Sequence, residues 1–162
     1  MKGHARVMQV LNGVLKAELT AINQYICHAE MCENWGYQSL GRKIREQAIG
    51  EMKHAEKLIE RILFLEGTPN MSEYFKIAIG KTVKQQLEND LALEMDAVPN
   101  LNAGIKTCLA AGDNGSRDLL QKILEDEEEH VDWLEAQLHM IGEIGIQNYL
   151  TEQMSEEEGA EE

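Results

Sequence analysis

From Val7 the chain runs Val7, Leu11, Val14, Glu18, Ala21, Tyr25, His28, Cys32, alternating steps of four and three without a miss. That spacing keeps one face of an α-helix inward for about seven turns. It rules out a strand, whose side chains change face at every residue. Ile44, Gln47, Glu51, His54, Leu58, Ile62 and Leu65 form a second stripe, ending before Gly67-Thr68-Pro69. Val83, Leu87, Asp90, Glu94, Ala97, Leu101 and Ile105 form a third, and Leu120, Ile123, Glu127, His130, Leu134, Leu138 and Ile141 a fourth. The stripes predict helices over about residues 5–35, 40–65 and 82–111, and a fourth from a Ser116 cap through Ile141, closed by Gly142 and Gly145. A short fifth helix is expected over 146–154. With only two prolines in 162 residues, the fold class is all-α.

Gly36 and Gly41 flank one break, and Gly112-Asp113-Asn114-Gly115 forms another, so each pair of helices is an antiparallel hairpin. About 16 residues separate the second stripe from the third. Extended, they reach roughly 50 Å, enough to cross the bundle lengthwise. The architecture this gives is a four-helix bundle with one long crossover. Pro99, inside the third helix, predicts a kink or bulge near Met95. One domain over 1–154 is expected, followed by an acidic, disordered tail over 155–162.

Fifteen Lys and Arg against 29 Asp and Glu leave a formal charge of −14, which repels nucleic acid and favours cations. The longest apolar runs, Ile62 to Leu65 and Cys108 to Ala111, are far below the ~20 residues a membrane span needs. Nothing near the N-terminus resembles a secretory signal, so a cytoplasmic location is expected. Cys27, Cys32 and Cys108 form no Cys-x-x-Cys pair and read as reduced, buried thiols.

The stripes also hold residues that packing does not ask for. Glu18, Glu51 and His54 recur as Glu94, Glu127 and His130, each displaced by 76 residues, and the flanking sequences repeat with them. Each Glu-x-x-His places carboxylate and imidazole as neighbours on one helix surface. Each hairpin puts its two glutamates at comparable distances from its turn, so all six side chains converge. Four carboxylates together in a low-dielectric core repel unless cations sit among them. Two divalent ions balance the four negative charges. Hard oxygen ligands with one imidazole per metal suit iron or manganese, and zinc less exclusively. One Glu from each of two helices, with Glu-x-x-His from each of the others, is the general di-iron carboxylate pattern. By themselves these ligands leave three classes open: iron oxidation for storage, a non-storage di-metal redox enzyme such as a peroxidase or manganese catalase-like protein, or a structural bundle binding zinc or nothing.

The sequence resembles bacterioferritin, the haem-containing branch of the ferritins. Glu18 with Ala21-Ile22-Asn23-Gln24-Tyr25, Asn34-Trp35-Gly36, Glu51-Met52-Lys53-His54-Ala55, Ile62 through Gly67, Asp126-Glu127-Glu128 and Gln147-Asn148-Tyr149-Leu150 carry the likeness. It implies a ferritin-like bundle, a di-iron ferroxidase centre using O2 or H2O2, and a hollow 24-subunit shell built from two-fold dimers. It further implies haem b shared between two subunits, a small ferredoxin as reductant, and in some members a second subunit type. The shell and the haem come from the resemblance alone. Carried over, the metal ligands are Glu18, Glu51, His54, Glu94, Glu127 and His130, with Glu51 and Glu127 bridging, and Met52 is the axial haem ligand. Tyr25 matches a tyrosine that either supplies an electron or only hydrogen-bonds a ligand, and Trp133 is ambiguous in the same way. His4, His28 and His139 belong to no matching set and read as structural or surface groups. Arg45 stands where a tyrosine is common, and Glu46 and Gly50 stand where some members hold a cavity-wall iron. Asn34, Glu66 and Asp132 match an acidic pore in which His139 replaces a usual acid.

Overall fold

The computed structural model describes residues 1–155, so all of the expected acidic tail beyond Ser155 falls outside the described residues. Five helices follow one another: α1 (Ala5–Asn34), α2 (Gln38–Phe64), α3 (Val83–Ala110), α4 (Asn114–Ile144) and α5 (Ile146–Glu152). No strand occurs among the described residues. All eight members of the first stripe are buried, as the four-and-three spacing requires. None of the helices is long and apolar enough to cross a membrane.

The two hairpins turn by one device used twice. The caps Trp35 and Ala111 both adopt φ −81° and ψ −4°. Each is followed by a glycine at positive φ, 89° at Gly36 and 71° at Gly112. The Tyr37 N–H donates to the Cys32 carbonyl and the Asp113 N–H to the Cys108 carbonyl, both at 2.9 Å, which is the closing bond of a Schellman motif. A side chain at either glycine costs about 1–2 kcal/mol in that backbone conformation.

The α1–α2 hairpin packs on the α3–α4 hairpin through α1 against α3 and α2 against α4. Between α2 and α3 the crossover runs lengthwise along α1, whose side chains take up its backbone donors in order. Asn12 accepts from the Asn70 N–H at 2.8 Å, Thr20 from Phe75 at 2.9 Å, Gln24 from Ala78 at 3.0 Å and His28 from Gly80 at 2.9 Å. A segment without its own secondary structure has to pair its covered backbone groups with side chains or water, and α1 supplies the side chains.

Two apolar clusters form the core. One gathers Val7, Leu11, Leu58, Ile62, Leu101 and Leu120, and the other Tyr25, Ile44, Leu87, Leu134 and Tyr149. Along α1 the first stops at Leu19 and the second starts at Ala21, so the polar residues of the stripes form a layer between them. Each buried Leu or Ile contributes about 1.5–3 kcal/mol, enough in sum to carry buried carboxylates that cost several kcal/mol each.

Three local expectations need correction. The cap of α4 is Asp113, whose carboxylate accepts from the Ser116 N–H at 2.9 Å and the Ser116 hydroxyl at 2.7 Å, so Ser116 lies inside the first turn. Asp and Ser are equally good caps, and three residues of polar turn separated the choices. Of the kink or bulge expected near Met95 the bulge is absent, α3 staying α-helical through Pro99. α4 passes Gly142 and ends at Ile144, with Gly145 as its cap.

Candidate metal centre

Midway along the bundle each helix turns acidic or imidazole groups into the layer between the apolar clusters. Glu18 comes from α1, Glu51 and His54 from α2, Glu94 from α3, and Glu127 and His130 from α4. They form two overlapping sets. Glu18, Glu51, His54 and Glu127 have ligand atoms all within 4.8 Å of one another, and so do Glu51, Glu94, Glu127 and His130. Glu51 and Glu127 belong to both sets, the placement of bridging groups between two neighbouring cations. All four glutamates are at most 4% exposed.

The electrostatics are those of a site short of positive charge. Burial pushes the Glu51 and Glu127 carboxyls well above the usual range, Glu18 adding to the first and Glu51 to the second. Burial also raises Glu18, moderated by its hydrogen bonds to Glu51 and His54. Glu94 moves the other way. Burial opposes its charge, yet hydrogen bonds from Glu127, His130 and Tyr25 hold it below the usual value. For His54 burial is likewise outweighed, by Glu127 at 3.1 Å, Glu51 at 3.3 Å and Glu18 at 3.4 Å from Nδ1, so the imidazole is drawn to its charged form. A divalent ion placed among these groups would compensate two buried carboxylates at once.

Tyr25 lies against this layer, donating its hydroxyl to Glu94 and packing edge-on to the His130 ring at 5.3 Å between centroids. Burial and the Glu94 charge raise its phenol well above the ordinary value, so it stays protonated. Trp133 sits 6.3 Å from the His130 ring. A cavity of about 510 Å³ leads in between α1 and α3 beneath the crossover, lined by Glu18, Glu51, Glu94 and Glu127 with Asp96 and Phe75 at its walls. On the α2–α4 face a second hollow, about 350 Å³, reaches His54 past Lys53, Lys57 and Lys122.

Sequence reasoning brought the six groups together but missed Asp126, which meets His54 Nε2 at 2.7 Å. Off the inward stripe and 62% exposed, it carried no periodic signal. It also missed the pairing of two stripe residues, His28 and Asp90, at 2.8 Å. Of the unassigned histidines, His4 caps α1 by accepting from the Arg6 N–H, and His139 is exposed. Cys32 and Cys108 are buried and Cys27 half-buried, all three as free thiols. Met52 lies outside the centre, 45% exposed on α2, one turn from the exposed Ile49. Arg45 is held by Glu33 and Glu30. Asn34, Glu66, Asp132 and His139 all lie exposed.

A bundle of this topology with paired Glu and Glu-x-x-His sets is the scaffold of di-metal carboxylate proteins. The Ferritin-like domain of the Ferritin family matches residues 8–144. The chain is 44% identical over 149 residues to the bacterioferritin of Mycobacterium leprae, covering 92% of this chain and 94% of that protein. It is 46% identical over 156 residues to the bacterial ferritin of Synechocystis sp., covering 96% and 100%. With the bacterioferritin of Brucella melitensis it shares 44% over 149 residues, covering 92% of each. The chain belongs to the ferritin family, with bacterioferritins among its relatives, and iron storage is the function that membership and the acidic centre together support.

Proposed function

We propose that the chain oxidises ferrous iron at this centre and passes the ferric product to a mineral enclosed by an oligomeric shell. The single observation that carries the reading is the pair of four-residue ligand sets sharing Glu51 and Glu127. Ferrous ions are the substrate: one is held by Glu18 and His54, the other by Glu94 and His130, with Glu51 and Glu127 between them. Oxygen or hydrogen peroxide is the acceptor. One O2 takes an electron from each of four ferrous ions and, with four protons, leaves as two waters.

The residues divide the labour. Glu51 and Glu127, whose carboxyls burial raises well above the usual range, give up any protons they hold as the cations enter. The cavity between α1 and α3 supplies an acidic way in. Tyr25 fixes Glu94 through its hydroxyl and stands close enough to the centre to donate an electron in addition.

The assembly is the family's 24-subunit shell, built from two-fold dimers and working in the cytoplasm. The exposed Met52 fits a haem b shared across the two-fold, since its thioether is outside the core and soft enough for haem iron. Bound there, haem would supply electrons, drawn from a small ferredoxin, for releasing the stored iron.

The test is aerobic addition of ferrous salt to metal-free protein, followed by absorbance and by particle size. Wild type oxidises iron quickly and the particle gains a dense core. Glu94→Ala loses the fast phase by at least tenfold and keeps haem, while Met52→His changes the haem spectrum and leaves oxidation largely intact. Equal loss in both variants rejects the division of roles, and fast oxidation without a core-bearing particle makes the protein a non-storage di-metal enzyme.

A further inference from the structure

The two imidazoles of the centre occupy equivalent places in the repeat but are not equally supported. His54 turns Nδ1 to Glu18, Glu51 and Glu127 and gives Nε2 to Asp126 at 2.7 Å. His130 turns Nδ1 to Glu94 at 3.0 Å, and its Nε2 is buried with no hydrogen-bond partner among the described residues. The repeat explains the difference. Asp126 precedes Glu127 as Gly50 precedes Glu51, 76 residues earlier, so the position that would back His130 has no side chain. Space is not the obstacle, for a Cβ built on Gly50 meets nothing within 4 Å.

A metal-binding imidazole ligates through one nitrogen and must hold its proton on the other, and an acceptor for that proton fixes the ring's orientation and raises its basicity. The geometry points to Asp126 as a positioning residue that makes the Glu18/His54 half of the centre the firmer metal position. Gly50 leaves the Glu94/His130 half looser. This rests on the metal-centre reading above and adds an order of filling to it: the first cation settles at His54 and the second is the one that exchanges. The firmer half also faces the hollow on the α2–α4 face, and the looser ring is enclosed between Tyr25 and Trp133.

Cobalt(II) is the probe, titrated into the metal-free assembled protein and followed by its d–d absorption, so that no oxidation step enters. Unequal affinities in wild type alone decide nothing, because adjacent cations repel. The variants decide. Glu18→Ala and Glu94→Ala each remove one binding class and so assign them. Asp126→Ala is expected to weaken only the class that Glu18→Ala removes, about 10–100-fold. Asp126→Asn, whose amide oxygen still accepts the imidazole N–H, recovers part of that loss. Gly50→Asp is expected to tighten the class that Glu94→Ala removes, about tenfold. Asp126 is largely exposed, so its variants keep the fold, and unchanged thermal unfolding verifies it. The inference is overturned if Asp126→Ala leaves both classes unchanged or lowers them alike, or if Gly50→Asp has no effect. A wild type that takes up no cobalt ends the metal-centre reading itself.

Discussion

The two hairpins agree in the six ligand positions and in the backbone of their turns, and part company in the residues around them. Under the shift of 76 residues the ligands, the cap positions on either side of each turn (Trp35 and Ala111, Tyr37 and Asp113) and the positive-φ glycines between them coincide. Asp90 instead corresponds to Val14, His28 to Gly104, Asp113 to Tyr37 and Asp126 to Gly50. The crossover accounts for the first two of these. It reaches the His28 end of α1 with backbone groups in need of partners, and the buried set Gln24, His28 and Asp90 meets them. At the Val14 end the helices close on small residues, and a Cβ on Gly104 would lie 2.7 Å from Val10. At these two positions the symmetry is lost because only one end of the α1–α3 contact has the crossover to serve.

The sharpest way to break this comparison is to treat both α1–α3 contacts alike. Asp90 accepts at one oxygen from Gln24 at 2.8 Å and meets His28 Nδ1 at 2.8 Å. His28 Nε2 accepts from the Gly80 N–H, so its proton sits on Nδ1 and points at the carboxylate. Asp90→Ala strands two buried donors and loosens the crossover, for a loss of about 3–5 kcal/mol in chemical denaturation. Val14→Ala, its counterpart, removes two buried methyl groups for about 2 kcal/mol. Equal losses would mean that the polar end is no more than packing.

A smaller effect, of opposite sign, is expected inside the symmetric layer. Glu127 has its pKa raised by burial and by Glu51, so in metal-free protein it lowers stability once pH exceeds the unfolded value near 4.5. The penalty grows as pH rises toward the folded value. Glu127→Gln removes it, keeps a donor for Glu94, and is expected to stabilise metal-free protein by about 1–2 kcal/mol at neutral pH. Thermal unfolding should show the midpoint gain shrinking toward pH 5 and, since the bridge is gone, no further rise on adding metal. A gain that grows on acidification would contradict the buried-charge account.

The parts that share a period were legible in the sequence, and those that depend on a partner were not. Glu18 and Glu94 announced themselves as charges inside apolar stripes, and the common shift tied them to Glu51 and Glu127. Asp126 stands next to a ligand but off the stripe, and its relation to His54 exists only once α2 and α4 lie side by side. His28 and Asp90 were visible as polar residues on inward faces. Their pairing needed the α1–α3 contact, which neither hairpin contains. The crossover's path along α1 could be bounded in length, whereas its four clasps depend on which backbone donors arrive opposite Asn12, Thr20, Gln24 and His28.

The hairpin turns give the mildest and most local comparison. Asp113 caps α4 through Ser116 and also receives Arg61 at 2.7 Å, while its counterpart Tyr37 caps α2 with no side-chain bond. Although burial acts against its charge, the Ser116 bonds and Arg61 hold Asp113 below its usual pKa. Its contribution is therefore present above an unfolded value near 4 and fades as pH falls through the lower folded one. Asp113→Ala is expected to cost about 1 kcal/mol at pH 7. Asp113→Asn, which still accepts from the Ser116 N–H, should recover most of that if the cap dominates and little if Arg61 does. Tyr37→Ala has no cap to lose, so any destabilisation there measures its packing beside Trp35, at 6.4 Å between ring centroids. If the Asp113 loss persists undiminished in an Arg61→Ala background, the turn of α4 is held by capping alone, and the two hairpins differ at this point by one hydrogen-bonding side chain.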